Sequence, residues 1–184
     1  MPRQVFLFDD PDRFVAGTVG QPGERTFFLQ ASDGPRSVSV ALEKVQVAVL
    51  AERVGELLDE LRRRGEPDIP QHAPAELEDV APLTTPIVED FRVGTLALAW
   101  DPERRRLVIE AHAQTDSDEP VEALTDDAVE GPDVLRVALE AARARAFVTR
   151  ALRVVAAGRP PCPLCGLPLD PAGHICPRQN GHRH

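Results

Sequence analysis

The chain has 184 residues, 42% of them hydrophobic, and a formal net charge of −9. That length supports one core of ordinary size with room for a small appendage, and no run reaches the roughly 18 uninterrupted apolar residues of a membrane span. The opening MPRQVFLFDD meets two aspartates before it builds the apolar stretch of a signal peptide. The expected location is therefore cytoplasmic, where an odd set of three clustered cysteines points to metal or redox chemistry and not to disulfides.

In chain order, QVFLF (4–8) ends in Asp9-Asp10-Pro11 and reads as a strand and turn. RFVAGTV (13–19), RTFFLQA (25–31) and SVSVAL (37–42) read as three more strands, separated by GQPG and SDGPR turns. Four short strands with tight turns predict an antiparallel meander. The period then changes. Val47, Leu50, Val54, Leu57, Leu58 and Leu61 recur at three- and four-residue steps, which predicts a helix over about 44–64, stopped at Gly65. Residues 66–90 hold five prolines and many acids, an extended surface connection with room for a short helix near 74–80. FRVGTLALAW (91–100) and RLVIEAHAQ (106–114) flank DPERR and predict a hairpin. After an acidic loop over 115–132, Asp133 is a candidate N-cap for a long Ala-, Leu- and Arg-rich helix to about Ala157, closed by Gly158-Arg159-Pro160-Pro161.

The expected fold class is α+β: a mainly antiparallel sheet of about six strands, with two helices packed on one face and a small C-terminal zinc knuckle or ribbon. The expected domains are a body over 1–158 and a tail over 159–184.

The tail gathers all three cysteines and three of the five histidines. CPLCG places two thiols two residues apart, with a glycine where the turn needs a positive φ. A tetrahedral site wants four sulfur or nitrogen donors, and Cys162, Cys165 and Cys176 supply three. His174 stands two residues before Cys176, which on an extended strand puts both side chains on one face. His182, His184 and, with less reason, Asp170 compete for the fourth position. A redox CxxC normally opens a helix, whereas Pro168 and Pro171 follow this one. The tail contains no Glu, so a structural zinc ion is expected over a catalytic one.

Three segments together carry a family resemblance: the helix start Leu42, Glu43, Lys44, Gln46 and Val47, the strand FFLQA, and the ending GRPPCPLCGLPLDPAGHICPRQNG. The chain resembles, over its whole length, a family of uncharacterised actinobacterial proteins catalogued as a domain of unknown function. The resemblance implies Cys162, Cys165, His174 and Cys176 as the ligand set, since the family ending has no His-Arg-His terminus. It also implies a phosphorylation-related process, because members are often encoded beside a histidine-phosphatase-like protein and a kinase-like protein. It implies no activity for this chain.

Two further constellations are candidates. Glu110 and His112 share a strand face and could form an acid/base pair, with Trp100 and Asp101 at the other end of the hairpin. On a half-exposed strand, however, such a pair is more simply a solvated face. Arg136, Arg143 and Arg150 fall at seven-residue steps with Arg153 nearby, a basic stripe that could contact nucleic-acid phosphates. From Leu135 onward the chain carries eight arginines against two acids, and the remainder 13 basic residues against 28 acids. A basic end facing an acidic body can equally dock on that body, and the absence of Tyr gives base stacking little support. No nucleophile elbow, phosphate loop or HExxH motif is present. The expected function is a non-enzymatic, zinc-stabilised protein-interaction adaptor. A nucleic-acid binder using the basic helix and tail is the first alternative, and an enzyme with its site on the 91–114 hairpin the second.

Overall fold

The computed structural model describes residues 2–116, 130–169 and 173–178. Among these, seven strands form one mixed sheet: β1 (Val5–Asp9), β2 (Arg13–Val19), β3 (Thr26–Asp33), β4 (Arg36–Leu42), β5 (Glu89–Asp101), β6 (Arg106–Ala113) and β7 (Val134–Leu139). Two helices complete it, α1 (Lys44–Arg63) and α2 (Ala141–Ala156). The strand order is β1-β7-β6-β5-β4-β3-β2. Four of the six pairings are antiparallel, while β1 with β7 and β4 with β5 run parallel. Among the described residues, no helix is long and apolar enough to cross a membrane.

The expected α+β class holds, with two local corrections. The long helix over 133–157 is instead a strand followed by a shorter helix. Val134–Leu139 alternates so that Leu135, Val137 and Leu139 join the main core. The strand lies between β1 and β6, where its backbone groups are paired on both sides. Sheet pairing overrode a composition that by itself favours helix. Asp133 consequently caps no helix; its carboxylate accepts the Gln4 N–H at 2.8 Å. The second correction concerns the meander, which comprises β2, β3 and β4 only. β1 leaves it to pair with β7 at the opposite edge of the sheet.

That exchange has a geometric consequence. β1 and β2 are the two outer strands, yet only residues 10–12 join them. Seven strands laid flat would separate their outer axes by about 29 Å at roughly 4.8 Å per spacing, while so short a link spans at most about 14 Å. The sheet must therefore coil until its edges approach. Arg36 at the start of β4 crosses the gap, donating to the Leu7 carbonyl at 2.8 Å with its guanidinium 4.2 Å from the centre of the Phe8 ring. Arg143 on α2 clamps the link itself through Asp10 and the Asp12 carbonyl.

One sheet face carries the main core, in which Leu29, Val40, Leu107, Ile109 and Leu135 meet Val47, Val54 and Leu58 of α1 and Ala144, Phe147 and Ala151 of α2. Phe14 and Phe147 stack at 4.8 Å between ring centres. α1 ends as expected. Gly65, at φ 83°, lets the Gly65 and Glu66 N–H groups bond back to the Arg62 and Leu61 carbonyls.

The proline-rich segment then straps the molecule. It makes one 3-10 turn at Ala75–Leu77, near the expected place. Beyond β2 it crosses the opposite sheet face, where Leu83 packs with Val15, Phe28 and Ala41. Gly17 makes this possible, because a Cβ there would lie 2.5 Å from Leu83 carbons. Buried Gln30 exchanges two hydrogen bonds with the Thr84 backbone, at 2.8 and 3.0 Å. Asp79 pins the turn of the strap, held by Arg13 through both carboxylate oxygens and by Arg150 at 2.7 Å.

The Arg13 hydrogen bond, with the charges of Arg13 and Arg150, holds the Asp79 carboxyl below the usual carboxylate range. A depressed folded value means stability that is complete above the unfolded pKa of about 4 and is lost as pH falls through the folded one. Asp79→Asn is expected to cost about 2 kcal/mol at neutral pH. It should also flatten the acid limb of the stability curve below about pH 4, as read by urea unfolding at stepped pH.

Candidate metal centre

α2 delivers the chain through Gly158 and Pro160 into a tight knuckle. Pro161 and Pro168 pair as an antiparallel bridge, the Cys162 N–H donates to the Leu167 carbonyl, and the Gly166 N–H returns to the Cys162 carbonyl. Gly166 has φ 74°, the left-handed conformation expected after the second cysteine. The turn projects Cys162 and Cys165 to one side, and the segment holding His174 and Cys176 lies against them.

The donor atoms of Cys162, Cys165, His174 and Cys176 all lie within 4.8 Å of one another. The Cys162 and Cys176 sulfurs are 3.9 Å apart, and Cys165 Sγ is 3.2 Å from His174 Nε2. Four donors around an ion with metal–sulfur bonds of about 2.3 Å would place sulfurs about 3.8 Å apart. The cluster is thus already near tetrahedral size and could hold a metal ion. Cys162 and Cys176 are buried, while Cys165 and His174 are partly open.

The backbone prepares one thiolate. The Cys165 and Leu164 N–H groups point at the Cys162 sulfur and lower its pKa to about 6. Loss of solvent pushes the Cys165 thiol the other way, helped by the neighbouring Cys162 and Cys176. His182, His184 and Asp170, the competing fourth ligands, lie outside the described residues.

The other expected constellations change character. Glu110 and His112 do not form a solvated face; each is 1% exposed. Glu110 accepts from Arg136, its cross-strand neighbour on β7, and its second oxygen lies 2.9 Å from His112 Nε2. His112 Nδ1 is buried without a partner. Glu110 thus sits buried between Arg136 and His112. Asp101 is a turn residue whose Oδ1 accepts the Glu103 and Arg104 N–H groups, and Trp100 packs against the main core.

The basic stripe is broken because Arg136 lies on β7 and not on α2. On α2, Arg143 pairs with Asp10, Arg145 with Asp59, Arg150 with Asp79 and Arg153 with Glu78. The arginines of the basic end are thus largely neutralised by acids of the body.

Sequence reasoning missed the Arg13–Asp79–Arg150 cluster, whose members are up to 137 positions apart and carry no local signal. It also passed over three aliphatic residues of the knuckle that remain exposed: Leu164 (47%), Leu167 (49%) and Ile175 (81%). Their signal was present, since a tail with no core of its own has nowhere to bury them.

Residues 6–176 match the family model described as "Protein of unknown function (DUF3090)". No curated protein and no solved structure is matched.

Removing one partner of the buried network should be costly. Glu110→Ala, which removes the buried carboxylate that both Arg136 and His112 contact, is expected to lose about 3–5 kcal/mol in chemical unfolding. The double variant Glu110→Leu, Arg136→Met should recover most of that loss. Equal destabilisation of the two would mean that packing, and not charge pairing, holds the site together.

Proposed function

The chain belongs to the DUF3090 family, whose description assigns no activity, and on its own geometry we propose that it is a non-enzymatic interaction module whose docking tip is closed by a structural zinc ion. The observation that carries this reading is the knuckle itself: four converging donors in a short segment whose Leu164, Leu167 and Ile175 are exposed.

Three thiolates and one imidazole are soft-to-borderline donors that suit zinc. Four protein ligands fill a tetrahedral shell and leave no position for a reacting water, which is the arrangement of a structural site. The tail is too short to build a core, so metal binding supplies its folding free energy, on the order of 10 kcal/mol in comparable zinc peptides. An ion that folds a tip bearing three exposed aliphatic side chains creates a small apolar surface suited to a protein partner. The family resemblance directs the partner search to a histidine-phosphatase-like and a kinase-like protein.

Metal analysis of the purified protein should find one zinc per chain. Cys162→Ser and Cys176→Ser should lose it and the order of the tail, leaving the cooperative unfolding of the body intact. Metal-free wild-type protein that keeps the tail's dispersed NMR signals would sink the clasp. Leu164→Asp combined with Ile175→Asp should keep the zinc and abolish binding to the purified partner, measured by calorimetry. Undiminished binding by that double variant would reject the docking tip while leaving the metal site standing.

A further inference from the structure

At the seam between body and knuckle lies a cleft of about 470 Å³, lined by Gly23, Arg25, Phe27, Lys44, Val155, Ala156, Gly158, Arg159 and Pro168. Among the described residues of the lining, three are cationic and none is acidic. In a chain with 30 acids and 21 bases, that composition stands out. Elsewhere the arginines of α2 each meet a carboxylate. Here, Arg25 and Lys44 make no ion pair with any described residue.

The site is assembled from four separate pieces of chain. Arg25 stands immediately before β3, and its orientation is fixed: Nη1 donates to the Ala157 carbonyl at 2.9 Å, and the guanidinium carbon lies 5.1 Å from the centre of the Phe27 ring. Its other nitrogen, Nη2, is left facing the cleft. Lys44, the only lysine in the sequence, is the first residue of α1. Lys44 Nζ and Arg25 Nη2 converge on one point, the position a side chain on Gly158 would occupy, from which they lie 3.6 and 3.8 Å. Arg159 folds over Gly23, whose missing side chain leaves room for the guanidinium. The nearby acid Glu43 is turned away, its carboxylate paired with Arg92 at 3.1 Å.

Two like charges aimed at one small volume repel unless something negative lies between them. We propose that this cleft binds a small ligand through an oxyanion, a phosphate or a carboxylate. Lys44 and Arg25 grip the anion near Gly158, and the walls of Phe27, Val155 and Pro168 receive the ligand's uncharged part. A guanidinium already fixed by a carbonyl and a ring loses little freedom on binding, which favours a planar or tetrahedral oxyanion. The volume falls within the range of small-molecule sites. Pro168 belongs to the knuckle, so the ligand would bind against the folded tail. The inference goes beyond the docking reading and does not depend on what contacts Leu164, Leu167 and Ile175.

The test titrates pyrophosphate, and in a parallel arm malonate, into the metal-loaded full chain at low salt. Binding is followed by calorimetry and by the backbone amide shifts of Gly23, Phe27 and Gly158. At least one probe should bind and move those amides, and the arm that binds assigns the oxyanion. Two variants carry the decision. Lys44→Gln removes one charge from an exposed position, and Gly158→Ala fills the convergence point with a methyl at ordinary contact distances while keeping every charge. Each should weaken binding about tenfold, the worth of one charge-assisted hydrogen bond, with zinc content and partner binding unchanged. Arg53→Gln, on the far face of α1, should have no effect. Failure of both probes to bind, or binding that survives both variants, overturns the proposal.

Discussion

A link of three residues between the two outermost strands governs much of this molecule. Because residues 10–12 join β1 to β2 across an order that places them at opposite edges, the sheet has to coil. Coiling brings Leu7 and Phe8 within reach of Arg36 and puts the link beside α2, where Arg143 holds it. It also keeps Phe8 and Phe14, on the two edge strands, within one core. Both helices then pack into that core, and the strap covers part of the opposite face.

Charge is distributed by the same architecture. The arginines of α2 are neutralised by acids from the β1–β2 link, from α1 and from the strap. Arg150 is the most confined of these on the strap side. Burial lowers its pKa, and Asp79 opposes that shift. These pairs tie the strap to the helix and explain how a chain with so acidic a front half carries so basic an end. Arg25 and Lys44 lie outside this scheme, since neither pairs with an acid among the described residues, and their convergence at Gly158 is the reason to regard the cleft as a binding site.

The knuckle joins the body where α2 ends, with Arg25 bonded to the Ala157 carbonyl and Pro168 walling the adjacent cleft. A tail held only by its own backbone turn would be loose at that seam. An ion gripping Cys162, Cys165, His174 and Cys176 would lock the turn, the exposed tip and one wall of the cleft together.

Local patterns were legible without coordinates wherever the deciding forces are local. The apolar period of α1, its glycine stop, the hairpin of β5 and β6, and the Cys-x-x-Cys turn depend on neighbours within a few residues. Spacing also singles out Cys162, Cys165 and Cys176, but it leaves His174 one of several candidates for the fourth donor, favoured by the family resemblance; in the structure His174 lies with the three cysteines. Tertiary structure decided what hangs on distant partners. VLRVAL became a strand because β1 and β6 offered hydrogen bonds on both sides, and this divided the arginine stripe. Glu110 and His112 are buried on a strand flanked by β5 and β7, and Arg136 meets Glu110 across the sheet from 26 positions away. No periodicity records that Arg13 and Arg150 share Asp79, or that Lys44 and Arg25 meet at Gly158. Those meetings exist only once the sheet has coiled, since long-range charge pairing is set by which surfaces packing brings face to face.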